Sequence, residues 1–304
     1  MFYKVRTESR ELKIMEVLNA RADLSEKDKR NYFTLRKGYE GEIQFDNMLE
    51  RLQCDCLILS DLLLRASNST FQIDSLIIVS NTVYLFDIKN YEDDYVWDAV
   101  DNRMLKKPDF EITNPLTQLK KNEQHFRKWL QEHKLDFPVV ASVVFVNPRF
   151  TLYQASPDLP FIFPTQIERD VIERLNSNSA KLTHKHKKFA DQLINSHINE
   201  NPYSQIPAYE YEELRKGIMC ANCSSISVFL DGKFCFCPDC GHKETVEAAV
   251  IRTAEEFRLL FPERKLTART LMEYSKVINN QKRMSRILEK HFTMVGKNRW
   301  VHYI

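Results

Sequence analysis

The segment TVYLFDIKN (82–90) carries the first residues with chemical potential. In an extended chain successive side chains alternate faces, so Val83, Leu85, Asp87 and Lys89 share one. A carboxylate and an ammonium on an otherwise apolar strand are costly to bury unless they pair or serve a metal. Just upstream, FQIDSLIIV (71–79) places Asp74 in a second apolar strand. The short connection, with a turn signal at Ser80–Asn81, predicts a hairpin that sets Asp74 beside Asp87. Two neighbouring carboxylates repel, and a divalent cation relieves that repulsion.

A third carboxylate comes from a predicted helix. Glu42 lies three residues before Phe45 and seven before Leu49, on the face that the apolar stripe turns inward. Gly38 and Gly41 precede Glu42 and Phe45 by one turn, and their missing side chains would let the helix approach a sheet closely. Glu42, Asp74 and Asp87 offer hard oxygen ligands suited to Mg²⁺ or Mn²⁺, and the carbonyl of Ile88 could add another. Such an ion polarises a scissile phosphate and lowers the pKa of a bound water, while Lys89 orients that water and offsets charge. Taken singly, each residue has a plainer explanation: an acidic side chain at a strand end is usually solvated, and Lys89 could simply pair with Asp87. Their joint placement on apolar elements favours chemistry.

A second constellation is C220-A-N-C223, thirteen residues, then C237-P-D-C240-G-H. Two C-x-x-C knuckles at this spacing predict a closed tetrahedral Zn²⁺ site of Cys220, Cys223, Cys237 and Cys240, structural rather than catalytic. Between them SISVFLDGKFCFC reads as a hairpin turning at Asp231–Gly232, as in a zinc ribbon. Cys235 is the spare thiol, His242 is the weaker ligand candidate, and Cys54 and Cys56 read as ordinary buried thiols alternating in a strand. Seven cysteines, five of them between 220 and 240, do not suit a secreted disulfide framework and point to metal in a reducing compartment. No run approaches the about 20 apolar residues of a membrane span, and MFYKVRTESRELKIMEVLNA has no signal-peptide core. The expected location is the cytoplasm, with no membrane partner.

The elements that must position these residues follow an α/β order. Helices are expected over 9–22 and 25–52, with Ser25 and Asp28 as a start signal. Three strands follow, then a strand pair around Tyr95–Trp97 and Met104–Leu105, and a helix opened by Asn114–Pro115 that runs to about His133. PVVASVVFV reads as a strand buried on both faces, and an interrupted helical region runs from Pro164–Thr165 to about Asn199. This order predicts one mixed sheet flanked by helices. LTARTLMEYSKVINNQKRMSRILEKHF reads as two helices parted near Asn279–Asn280, and GKNRWVHYI as a short hairpin bearing Lys297, Arg299 and Trp300. Helix, helix and basic hairpin resemble a small winged-helix arrangement. Residues 251–304 hold 12 Lys/Arg against 5 Asp/Glu, a net of +7, which leaves −5 on the first 250 residues. A basic tail on a near-neutral body, with Lys282, Arg283, Arg286 and Lys290 on one helix, points to a polyanionic partner. A solvated helical cap is the plainer account.

The pieces GYEGE, FQIDSLII and YLFDIKNYED, in this order, resemble the nuclease-related domain (NERD) family of the PD-(D/E)xK nuclease superfamily. The family's G-x-x-G-E helix start falls on Gly38, Gly41 and Glu42, its strand aspartate on Asp74, and its acidic-x-Lys on Asp87 and Lys89. Asp87 stands where glutamate is commoner, which the superfamily pattern permits. NPLTQLKKN resembles the family's next helix, and the resemblance brings Gln118 to the site. It implies a restriction-endonuclease-like α/β fold and a Mg²⁺-dependent phosphodiesterase acting on nucleic acid, DNA first. The expected organisation is an N-terminal helical extension (1–35), the nuclease-like domain (36–199), a linker (200–216), a zinc ribbon (217–243) and a basic helical module (244–304). The competing readings are a nucleic-acid-binding protein that keeps the fold without cleaving, and a protein-interaction adaptor built on the ribbon.

Overall fold

The computed structural model describes residues 1–80 and 82–304, and of Arg299 only the backbone. The turn expected at Ser80–Asn81 and the Arg299 side chain therefore lie partly outside the described residues. In chain order the elements begin with β1 (Phe2–Lys4), α1 (Arg10–Arg21) and α2 (Glu26–Leu49). Then come β2 (Cys56–Ala66), β3 (Ser69–Val79), β4 (Thr82–Lys89), β5 (Asp93–Asp98), β6 (Arg103–Lys106), β7 (Phe110–Ile112) and α3 (Pro115–Glu132). They continue with β8 (Val139–Phe145), β9 (Phe150–Tyr153), β10 (Phe161–Ile162), a 3₁₀ turn and a π-helical segment, α4 (Arg174–Asn176) and α5 (His184–Asn195). The remainder comprises β11 (Phe229–Asp231), β12 (Phe234–Phe236), β13 (Lys243–Thr245), α6 (Val246–Leu260), α7 (Ala268–Ser275), α8 (Gln281–His291), β14 (Met294–Val295) and β15 (His302–Tyr303).

Tertiary contacts divide the chain into two compact units: Met1–Glu8 with Thr34–Tyr203, and Ser9–Phe33 with Ser204–Ile304. The expected boundaries differ from this. Residues 1–35 do not form one extension, because β1 joins a sheet in the first unit while α1 packs on α6 in the second. Nor is 200–216 a bare linker. Tyr211 and Leu214 are buried, with Tyr211 against Phe257, Phe261 and Tyr274.

The first unit holds a mixed six-stranded sheet in the order β1-β2-β3-β4-β8-β10. The hairpin strands β2, β3 and β4 are antiparallel neighbours, and the pairs β1/β2, β4/β8 and β8/β10 are parallel. One face packs on α3 and α5 through Phe126, Trp129, Phe189 and Leu193. The other packs on α2 through Phe45 and Leu49, which meet Ile58, Ile77, Phe86 and Ile88. The stripe on α2 is therefore the one that periodicity predicts. Ser25 caps this helix, accepting from the Asp28 N–H at 3.2 Å. The single sheet expected from the sequence is corrected: β5, β6, β7 and β9 form a separate four-stranded sheet in the order β7-β6-β5-β9. It packs through Tyr95, Trp97 and Met104 on Leu116 and Leu119 of α3. Cys54 precedes β2 rather than alternating within it, and only Cys56 is buried.

In the second unit α6, α7 and α8 precede the antiparallel pair β14/β15, and Leu266 bridges to Tyr303. Arg21 of α1 is fully buried here. It meets Glu256 of α6 at 2.6 Å and donates to the carbonyls of Arg215 and Gly217. No helix among the described residues is long and apolar enough to cross a membrane.

Candidate functional site

Strand pairing brings the aspartates together. Ser75 pairs with Phe86, so Asp74 and Asp87 stand one residue further along the same antiparallel register. Asp87 shares its face with Val83 and Leu85, toward α3. Alternation from Ile78 and Leu76 carries Asp74 to the same side, at the level where the strand then changes phase. On β2 the α3-facing residues run Leu57, Leu59, then Leu62, Leu64; on β3 they run Ile78, Leu76, then Ile73, Phe71. Both strands change phase at one level, where Asp61 adopts φ 54° and the ladder skips the Asp61–Asp74 pair.

The two aspartates line a cavity of about 10 Å³ together with Gln72, Leu119, Asn122 and Glu123. That is close to the about 10–15 Å³ that one water needs. Asp74 Oδ2 accepts the Ile88 N–H at 2.8 Å. Lys89 Nζ lies 2.8 Å from Asp87 Oδ2 and donates to Gln118 Oε1 at 3.1 Å. Beyond this ion pair with Lys89, the buried oxygens of Asp87 have no hydrogen-bond partner. Burial raises the Asp87 carboxyl to about 6, with Lys89 opposing and Asp74 reinforcing. Burial likewise raises Asp74, against Lys89 and the Ile88 N–H.

Glu42 is held differently. Arg6, just after β1 and buried, places Nη1 at 2.6 Å from Glu42 Oε2. The same guanidinium donates to Asp46 at 2.8 and 3.3 Å and to the Asp74 carbonyl at 2.7 Å. Burial and then Asp74 raise the Glu42 carboxyl to about 8, with Arg6 opposing. Glu42 thus lies at the same end of the sheet. Among the described residues, however, no metal-sized group unites it with both aspartates: the ligand atoms of such a group would all lie within 4.8 Å of one another. Of the two glycines beside it, Gly41 is the one that packing requires, since a Cβ there would lie 2.5 Å from that of Asn90. Gly38 faces open space.

Sequence reasoning missed Arg6, Asp46, Asn122 and Glu123. Asp46 had a legible signal, one helical turn after Glu42 on the same face. Asn122 and Glu123 follow Gln118 by about one turn of α3. Nothing local marks Arg6.

The donor set fits a hard divalent ion at the two aspartates: two carboxylates that line one water-sized cavity, with Asp87 met by the Lys89 ammonium. The fit at Glu42 is poorer, since a cationic side chain already compensates it.

The cysteines are arranged more completely. Cys220, Cys223, Cys237 and Cys240 are the one such group among the described residues, with all sulfurs within 4.8 Å of one another. The Cys220–Cys240 and Cys223–Cys237 sulfurs are 3.6 Å apart. Tetrahedral thiolates at Zn–S of about 2.3 Å stand about 3.8 Å apart, whereas a disulfide would be about 2.0 Å. The two knuckles close alike. Ser224 (φ 58°) and Gly241 (φ 72°) are left-handed, and their N–H groups return to the carbonyls of Cys220 and Cys237 at 3.0 Å. Cys235 lies outside this group, buried on β12.

Comparison with curated proteins and with solved structures finds no match. Residues 37–146 match the family model described as the nuclease-related domain. The match runs from α2 through β8 and takes in Glu42, Asp74, Asp87, Lys89 and Gln118. Over residues 37–146 the chain is therefore similar to the nuclease-related domain (NERD) family.

Proposed function

We propose that the protein is a divalent-cation-dependent phosphodiesterase acting on DNA. The observation that carries this reading is the buried Asp87 carboxylate, ion-paired with Lys89 at 2.8 Å and lining one water-sized cavity together with Asp74. Asp74 and Asp87 would hold Mg²⁺ or Mn²⁺, with the Ile88 carbonyl as a further donor and Glu42 reached only if Arg6 releases it. A cation bound there supplies polarisation of the scissile phosphate and a water of lowered pKa. Lys89 has three donors: one goes to Gln118, one contacts Asp87, and the third is left to orient the nucleophile or bind a phosphate oxygen. Gln118 fixes the ammonium in place. The Cys₄ module would bind structural Zn²⁺, and the ribbon with the basic C-terminal helices would hold the substrate. Free thiols and structural zinc suit the cytoplasm.

A second reading, nucleic-acid binding without cleavage, is favoured by the Arg6–Glu42 pair, because a site already neutralised by a guanidinium has less need of a metal. Cleavage of single- and double-stranded DNA and RNA, with Mg²⁺, with Mn²⁺ and without either, beside Lys89→Ala, decides between them. Metal-dependent cleavage that Lys89→Ala abolishes supports the first reading. Absence of cleavage on every substrate, with binding retained, supports the second.

A further inference from the structure

The zinc module has an outer face that neither its metal site nor its core uses. In the three-stranded sheet Phe229 pairs with Phe236 and Phe236 with Lys243; the next row is Asp231, Phe234 and Thr245. Side chains alternate along each strand, so these six residues share one face. The opposite face carries Leu230, Cys235 and Glu244. It is the inner one: Cys235 is buried, β12 and β13 pack on α6, and Glu244 pairs with Arg252 of α6. The outer face leaves Phe229 52% and Phe234 38% exposed. The rings of Phe229 and Phe236 stack at 5.8 Å, and Phe234 meets Phe236 at 6.4 Å. Lys243 Nζ sits over two of them, 4.0 Å from the Phe234 centroid and 5.2 Å from that of Phe236.

The surroundings are cationic. Lys233 follows the turn, and Arg283 of α8 donates to the Gly232 carbonyl at its tip at 2.9 Å, tying the basic helix to the ribbon. Asp231 is the one acid on the outer face. Exposed rings invite an apolar partner, while lysine and arginine beside them invite an anion. Nucleic-acid bases on a phosphate backbone supply both. In a duplex the base faces are covered by their neighbours, so exposed rings can engage only unstacked bases.

We propose that the Phe229–Phe234–Phe236 face of the ribbon, with Lys243 and the start of α8, is a stacking platform for single-stranded nucleic acid. Aromatic–base stacking tolerates any base, so the platform binds single strands without sequence preference. This rests on the reading of the protein as one that acts on nucleic acid, but not on cleavage.

The test uses the full chain carrying Lys89→Ala, so that the probe survives. Fluorescence anisotropy follows labelled oligothymidylate and oligouridylate of about 12 nucleotides, and a duplex of the same length. The two single strands distinguish DNA from RNA as the source of the same chemistry. We expect Phe229→Ala with Phe234→Ala to weaken single-strand binding at least about tenfold, with zinc content unchanged. Phe234→Trp should bind at least as tightly as the parent. If the double variant loses zinc, Lys243→Glu decides, since it alters only the outer face: single-strand affinity should fall at least about fivefold. Failure of the parent to bind single strands overturns the proposal, as does unchanged binding by the zinc-replete double variant or by Lys243→Glu. Cleavage by the chain with native Lys89 is measured separately, so its absence beside intact single-strand binding removes the phosphodiesterase and leaves the platform standing.

Discussion

Arg6 and Glu42 are joined at 2.6 Å across 36 residues of sequence, and the arginine reaches them from just beyond a three-residue strand at the edge of the sheet. The same guanidinium binds Asp46 and the Asp74 carbonyl. It fastens the N-terminal segment, the second half of α2 and β3 at the level of the site. A buried ion pair broken on one side leaves an uncompensated charge.

Arg6→Met should therefore destabilise the first unit by about 3–5 kcal/mol, read by urea denaturation. Adding Glu42→Gln should recover part of that loss, because it removes one of the two carboxylates left without Arg6, the other being Asp46. Equal stability of Arg6→Met and the parent would show that the pair contributes nothing.

Divalent metal should raise the melting temperature of the first unit through Asp74 and Asp87. At a concentration about 100 times the dissociation constant, linkage contributes about 2.7 kcal/mol. Asp74→Asn and Asp87→Asn should each lose the Mg²⁺- or Mn²⁺-dependent rise. Variants that respond to metal as the parent does would place the ion elsewhere.

Purified protein should contain about one zinc per chain. Cys240→Ser should lower that content and loosen the ribbon, whereas Cys235→Ser should leave it unchanged, because Cys235 faces α6 rather than the other sulfurs. Zinc release by a colorimetric chelator after denaturation gives the count. Loss of zinc in Cys235→Ser would contradict the assignment of the four ligands.

The basic helix should make binding salt-dependent. Lys282→Ala with Arg286→Ala is the cleaner pair, since Arg283 also supports the ribbon turn through Gly232. If both side chains meet phosphates, the slope of log K against log salt should flatten by about 1.8 on duplex DNA or about 1.4 on a single strand. A slope that stays put in a folded variant would make α8 a packing element.

What could be read from the sequence is what short-range periodicity encodes. Alternation along 82–89 put Asp87 and Lys89 on one face, and the spacing of Phe45 and Leu49 turned α2 toward the sheet, because both patterns depend only on backbone geometry. The cysteine pairs were legible for the same reason: C-x-x-C brings two sulfurs together within one turn of chain. Tertiary structure alone decided which distant segments complete each unit. Arg6 enters the site through the parallel pairing of β1 with β2, and Arg21 commits α1 to the unit of α6 through Glu256. Neither residue lies in a pattern that local sequence specifies. The phase change at Asp61 also defeats a strict two-residue period, so that Ile73 and Phe71 lie on the α3 side along with Leu76. Local patterns set the direction of each side chain, but which charge lies opposite is fixed only when strands far apart in sequence pair and exclude water between them.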